Sequence, residues 1–150
     1  MARLKLALAA ALLAGMLPVP APAATQVVLY RTTGTVSVAG EIVRASAQLR
    51  SVPVADAPWY RGVLTFSGVE IHPPSPCHTT IVSGALSIIW ADGLRSRGTG
   101  TLVLLPRLLV LQGHIKSGRF QGALLETGGL FPPNPCDRQF SGTTVLVDAT

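Results

Sequence analysis

After residue 25 the chain carries a glycine or a proline every few residues, and this spacing most constrains what it can fold into. The runs between these interruptions are short and rich in Val, Ile, Thr and aromatic residues, which is typical of strands. No window combines helix caps with apolar residues at the i, i+3, i+4 and i+7 spacing of an amphipathic helix. We therefore predict an all-β fold of eight or nine short strands. The predicted strands are Gln26–Tyr30, Thr33–Val38, Glu41–Leu49, Tyr60–Phe66, Gly84–Trp90, Thr99–Leu105, Leu108–His114, Phe120–Glu126 and Thr143–Val147.

The section between residues 84 and 126 gives the clearest topology. Asp92-Gly93 lies between two strand-like runs, which is the strongest short hairpin signal. Pro106 separates the next two strands, because proline cannot donate a ladder hydrogen bond. A three-residue loop, Lys116-Ser117-Gly118, joins the last two. We predict a four-stranded antiparallel meander.

Two apolar runs within this section indicate how the sheet is closed. Leu102–Leu105 and Leu108–Leu111 are apolar at consecutive positions, so we expect both faces of the sheet to be covered there. A small antiparallel β-barrel of about eight strands covers both faces and also removes exposed edges. A two-sheet β-sandwich is the alternative.

The first 24 residues have the layout of a secretory signal peptide. Arg3 and Lys5 precede the uncharged apolar stretch Leu6–Leu17, and Ala21-Pro22-Ala23 supplies small residues at the cleavage positions. The apolar stretch is too short to span a bilayer, and no long uncharged apolar run follows it, so no transmembrane segment is predicted. We predict a signal peptide over residues 1–24, cleaved after Ala23 or Ala24, and one secreted domain over residues 25–150.

The basic residues of the predicted mature chain are spread along the sequence. Without Arg3 and Lys5 the formal net charge falls from +5 to +3. Nucleic-acid binding requires a basic stripe or patch, and the linear spacing shows none, so no nucleic-acid partner is predicted. Weak attraction to anionic cell-wall polymers or lipid headgroups stays open. The nine arginines are at positions 31, 44, 50, 61, 95, 97, 107, 119 and 138.

The two cysteines lie in the predicted exported domain, in two similar segments. Cys77 and Cys136 each end a Pro-Pro-x-Pro-Cys sequence that a strand precedes and a strand follows. Because exported proteins meet an oxidising environment, we predict one intramolecular disulfide. Closing a loop of about sixty residues would stabilise the fold by roughly 4 kcal/mol in the chain-entropy model. If both segments cross the same end of a barrel, the disulfide joins them there.

Several short motifs in the C-terminal half resemble a known group of proteins. Trp90-Ala91-Asp92-Gly93 is followed by Gly118-Arg119-Phe120-Gln121-Gly122, and then by Cys136 and Ser141-Gly142. This order resembles the "W-x-D-G … G-R-F-x-G … C" skeleton of small secreted all-β proteins of actinobacteria. The resemblance covers residues 75 to 147 and implies an exported β fold. It implies no activity and no catalytic residue.

One set of polar residues could carry chemistry. His78 and Asp137 directly follow the two cysteines, so a disulfide would bring them near each other. With Ser75 or Ser83 they would resemble part of a nucleophilic triad, and a secreted hydrolase using the His78/Asp137 pair is therefore the alternative function. The chain has no Gly-x-Ser-x-Gly elbow, and His-x5-His between His72 and His78 is not a recognised metal spacing. No catalytic residue, metal site or cofactor is predicted.

The remaining candidates are aromatic. Trp59, Tyr60 and Trp90, with His78, are the residues we predict to line a ligand site at a barrel mouth, where aromatic rings stack on or cover a ligand. The predicted function is a secreted, non-enzymatic binding or interaction module. Its partner is either a small apolar ligand, which needs an internal cavity, or an extracellular protein, which would contact the rigid proline loops.

Overall fold

The computed structural model describes residues 25–52, 57–70, 80–132 and 138–149. Within these ranges the chain forms eight strands and one short 3-10 helix, Pro58–Tyr60. Each strand pairs antiparallel with the next and β8 pairs with β1, so the sheet closes into a barrel. The predicted all-β barrel is confirmed, and the sandwich alternative does not form. The strands are β1 (Thr25–Ala39), β2 (Ile42–Ser51), β3 (Arg61–Val69), β4 (Thr80–Trp90), β5 (Arg95–Leu104), β6 (Leu108–Ser117), β7 (Leu124–Leu130) and β8 (Gln139–Ala149).

Strand β1 unites two of the predicted strands. Its first part pairs with β8 and its last part with β2, and the six residues 30–35 pair on both sides. Gly34 lies in this doubly paired part, where a Cβ atom would sit 2.2 Å from the carbonyl oxygen of Ser46. The missing side chain lets β1 approach β2 closely while it bends from one neighbour to the other.

The predicted meander is confirmed as β4-β5-β6-β7, but its last loop differs. Strand β6 continues through the predicted loop residues Lys116 and Ser117, and the turn lies at residues 118–123, although the predicted strand began at Phe120. Gly118, Phe120 and Gly122 have positive φ values in this turn, so the segment cannot stay extended. Of the apolar run in β5, Leu104 is buried while Val103 faces outward and is half-buried. We predicted that both faces of the sheet would be buried here, and only the inner face is fully buried.

The barrel interior is filled by side chains from every strand. Strand β2 shows the period-two pattern most simply, because buried and exposed residues alternate along its whole length. An eight-stranded barrel is just wide enough for its own side chains to fill. The largest fully buried side chains are Trp90, Tyr30, Phe66, Leu49, Ile88, Leu102, Leu104, Leu109, Ile115, Leu125, Leu146 and Val43.

Three buried threonines supply most of the polar groups inside the wall. The Oγ1 atom of Thr144 lies 2.7 Å from Oγ1 of Thr32 and 2.7 Å from Oγ1 of Thr127. Each hydroxyl therefore has a partner on a neighbouring strand. This pairing avoids the cost of about 1–3 kcal/mol for a buried polar group without a partner.

The antiparallel order assigns the chain connections to two ends of the barrel. The β2–β3, β4–β5 and β6–β7 connections share one end, called here the tryptophan end after Trp59 and Trp90. Strands β3 and β7 both run toward the opposite end, and β4 and β8 both start from it. Cys77 and Cys136 fall between these strands but outside the described residues. The disulfide stays a prediction, as does the signal peptide over residues 1–24.

Candidate functional site

The tryptophan end is closed by a cluster of four aromatic rings. The Trp90 ring packs against Tyr30, with ring centroids 6.0 Å apart, and edge-on against Phe120 at 5.5 Å. Phe120 also meets the edge of Trp59 at 6.4 Å. The Tyr30 hydroxyl donates a 2.8 Å hydrogen bond to the carbonyl of Trp59. Burial raises the pKa of Tyr30, so this hydroxyl keeps its proton and acts as a donor.

A polar network links this cluster to two turns. Trp90 Nε1 donates a 2.8 Å hydrogen bond to the Ser96 hydroxyl, which in turn donates to the carbonyl of Arg119. The Arg119 guanidinium donates two hydrogen bonds to the Asp92 carboxylate, of 3.0 and 2.7 Å. The hydrogen bond from Arg119 holds the pKa of Asp92 below its usual value. The β4–β5 and β6–β7 turns are therefore held together at this end.

Phe120 adopts a backbone conformation that is rare for a bulky residue. Its φ is 62°, in the left-handed region that costs a non-glycine residue about 1–3 kcal/mol. The turn imposes this angle, because Gly122 N donates to the carbonyl of Ile115 and Ala123 N donates to the carbonyl of Phe120. The ring is thereby directed onto Trp59 and Trp90. The motif segments Trp90–Gly93 and Gly118–Gly122 thus meet in one structural unit.

The three predicted ligand-site residues that the structure describes, Trp59, Tyr60 and Trp90, occupy different positions within this end. Trp90 is only 2% exposed and belongs to the core. Trp59 is half-buried against Phe120, and Tyr60 is half-buried with the Arg61 guanidinium 5.2 Å from its ring centroid. His78 and its proposed partner Asp137 lie outside the described residues, so the hydrolase alternative stays a prediction. Sequence reasoning did not identify Phe120 as part of this cluster, although the flanking glycines marked a turn.

The described residues enclose a very small cavity inside the barrel. The cavity inside the described part of the wall, between Ala45, Phe66, Leu109 and Thr127, has a volume of about 10 Å³. This volume corresponds to about one water molecule, whereas pockets for small molecules usually measure about 300–1,000 Å³. This cavity therefore has no room for a small apolar ligand.

The outside of the barrel carries a contiguous set of apolar side chains, called here the apolar face. Val27 pairs with Val147, Leu29 pairs with Val145, and Leu124 pairs with Val147 on its other side. Directly opposed residues project from the same face of a sheet. Val27, Leu29 and Leu124 are 57%, 44% and 58% exposed. A groove of about 540 Å³ crosses this face between β6 and β8.

A second outer surface is a line of three positive charges, called here the arginine row. Arg31 of β1 lies opposite Arg50 of β2, and Arg50 lies opposite Arg61 of β3. All three side chains are exposed. The salt bridge found within the described ranges joins Arg119 to Asp92 and involves none of them. The linear spacing showed no basic patch, and the strand register creates one.

Metal sites, membrane spans and similarity to known proteins give no further indication of function. No group of three or more His, Cys, Asp or Glu side chains is placed to hold a metal ion in the ranges described. No helix among the described residues is long and apolar enough to cross a membrane. Comparisons with models of protein families, with curated proteins and with solved structures gave no match.

Proposed function

We propose that this protein is an exported, non-enzymatic binding module that recognises an extracellular protein through the apolar face. The observation that carries this proposal is the contrast between the two sides of the wall. The cavity between Ala45, Phe66 and Thr127 inside the described part of the barrel measures only about 10 Å³, whereas the outside presents adjacent apolar side chains on β7, β8 and β1. Contiguous exposed apolar surface is typical of interaction sites.

The form of the apolar face favours a protein over a small molecule. Its groove is open to solvent and is lined by Leu124, Val145 and Val147, together with the polar residues Glu126 and Gln112. An apolar centre with a polar rim is the usual anatomy of a protein interface. Small ligands, in contrast, are usually enclosed over most of their surface.

Site-specific photocrosslinking tests the proposal on the full exported chain. A photoreactive amino acid replaces Leu124 in one sample and Ile81 in a control sample. Each protein is irradiated in the extracellular medium into which it is released. Ile81 is a matched control because it is 63% exposed and lies on β4, outside the apolar face. We expect a protein adduct of one defined mass from position 124 and none from position 81.

Competition decides whether the adduct is specific. Excess unlabelled wild-type protein should abolish it, whereas excess Leu124→Asp protein should not. Leu124 is exposed, so this substitution is expected to change stability by no more than about 0.5 kcal/mol, which a melting curve checks. No adduct, equal adducts at both positions, or an adduct of twice the chain's own mass would each overturn the proposal.

A further inference from the structure

The arginine row places three positive charges on three adjacent strands. Neighbouring strands lie about 4.7–4.9 Å apart, so the backbones that carry Arg31, Arg50 and Arg61 span only about 10 Å. Like charges directly opposite each other in a sheet are destabilising. No described residue forms a salt bridge with any of the three. The row is therefore a concentrated positive site without a counter-charge on the described part of the protein.

One guanidinium in the row is already positioned by the fold. The Arg61 guanidinium carbon lies 5.2 Å from the centroid of the Tyr60 ring. Contact with an aromatic face holds an arginine side chain while leaving its N–H groups free for an anion. Tyr60 belongs to the 3-10 helix that precedes β3, so the helix orients this end of the row.

Two neighbouring grooves on the outside of the barrel share Gln48 in their linings, and two arginines of the row line the smaller one, whereas Arg31 lines neither. The smaller groove, of about 270 Å³, contains Arg50, Arg61 and Gln48. The larger groove, of about 680 Å³, also contains Gln48 and continues over β1, β2 and β8. Among the described residues, its lining includes no charged side chain and several neutral hydrogen-bonding groups. These groups are Thr33, Thr35, Ser46, Gln48, Gln139 and Ser141.

We propose that this double groove binds a linear chain of polyol units joined by phosphate groups. Arginine binds phosphate through two parallel N–H donors, and the row offers three such groups in line. Hydroxyl and amide side chains in the neutral part of the groove match the hydroxyl groups of a polyol. A ligand with phosphate groups alone would use only the arginine part. This proposal concerns a different surface from the apolar face and does not depend on it.

Titration with two soluble probes tests the proposal on the full chain. The probes are a synthetic poly(glycerol phosphate) chain and inorganic polyphosphate, and binding is measured by calorimetry at several salt concentrations. We expect the triple variant R31Q/R50Q/R61Q to lose at least tenfold in affinity for both probes. The slope of log Kd against the logarithm of the salt concentration should be smaller by about 2 in this variant, since each of the three lost contacts with a flexible chain contributes about 0.7.

A matched variant separates a specific site from general charge attraction. R44Q/R107Q/K116Q removes the same net charge from exposed positions outside the row, and it should keep wild-type affinity and salt dependence. A second variant, T35V/S46A, should weaken poly(glycerol phosphate) binding severalfold and leave polyphosphate binding unchanged.

Three outcomes would overturn the proposal. Equal losses in the two charge variants would show attraction by net charge only. If T35V/S46A kept the wild-type ratio of affinities for poly(glycerol phosphate) and polyphosphate, the neutral groups would not bind a polyol. Binding to vesicles of anionic lipid that depends on the arginine row, with no binding of either chain, would assign the row to a membrane surface instead.

Discussion

Replacing Ser96 by alanine should destabilise the barrel more than the loss of one surface hydroxyl would. Ser96 is fully buried and its hydroxyl both accepts from Trp90 Nε1 and donates to the carbonyl of Arg119. The substitution leaves a buried indole N–H and a part-buried carbonyl without partners. Each unsatisfied group costs about 1–3 kcal/mol. The carbonyl of Arg119 should cost less than the indole N–H, because water reaches it more easily. We expect a loss of about 2–4 kcal/mol in the free energy of unfolding, which lowers the melting temperature by roughly 10 °C.

Urea unfolding followed by circular dichroism measures this loss, with Ser67→Ala as the control. Ser67 is an exposed serine on the outer face of β3, so its replacement should change stability by no more than about 0.5 kcal/mol. A double-mutant cycle with Trp90→Phe identifies the cause. Phenylalanine has no indole N–H to leave unpaired, so Ser96→Ala should cost clearly less in that background. A wild-type cost below about 0.5 kcal/mol, or equal costs in both backgrounds, would refute the reasoning.

Three further predictions concern charge, protonation and strand spacing. Because Arg119 lowers the pKa of Asp92 below its usual 3.8, Asp92→Asn should lower the urea midpoint at neutral pH, and the difference from wild type should vanish as acid titration passes through that lowered pKa. Burial raises the pKa of Tyr30, so phenolate absorbance should show one tyrosine that ionises only well above pH 10 in wild type, and Tyr30→Phe should lack it. Stability should be constant below pH 10, where tyrosine in the unfolded chain keeps its proton, and should fall as the pH rises from 10 through the raised pKa. Gly84→Ala would place a Cβ atom 2.2 Å from a backbone oxygen of β3, whereas Gly128 has open space; thermal melting should show a clear loss for the first substitution and almost none for Gly128→Ala.

Local signals explain which parts of the fold could be predicted from the sequence. The Asp92-Gly93 turn and the Pro106 interruption act within a few residues, and the structure has both where the sequence placed them. The segment from Phe120 was interpreted as a strand from its residue types, yet the turn between Gly118 and Gly122 has three positive φ values. The two flanking glycines were the available signal. Contacts such as Trp90 with Phe120 depend on this turn, so they could not be predicted without it.

Strand register explains why the arginine row was missed. Gly40 and Glu41 form a two-residue turn between β1 and β2, and Arg31 and Arg50 each lie nine residues from it. Recognising that turn would have placed these two residues opposite each other, since a hairpin pairs residues that are equally distant from its turn. The pairing of Arg50 with Arg61 follows a longer connection that includes the 3-10 helix. No sequence spacing determines that register.

The contrast between Arg119 and the arginine row supports the proposal that the row binds an anion. Arg119 is fixed by two hydrogen bonds to Asp92 and joins two turns, which is how an arginine stabilises a fold. Arg31, Arg50 and Arg61 instead face one another on strands whose outer faces also carry neutral polar side chains, such as Thr33, Gln48 and Thr65. Directly opposed like charges cost roughly 0.2–1 kcal/mol per pair. A neutral side chain at any of the three positions would avoid that cost, so their positive charge is better explained by an anionic ligand than by the folding of the barrel.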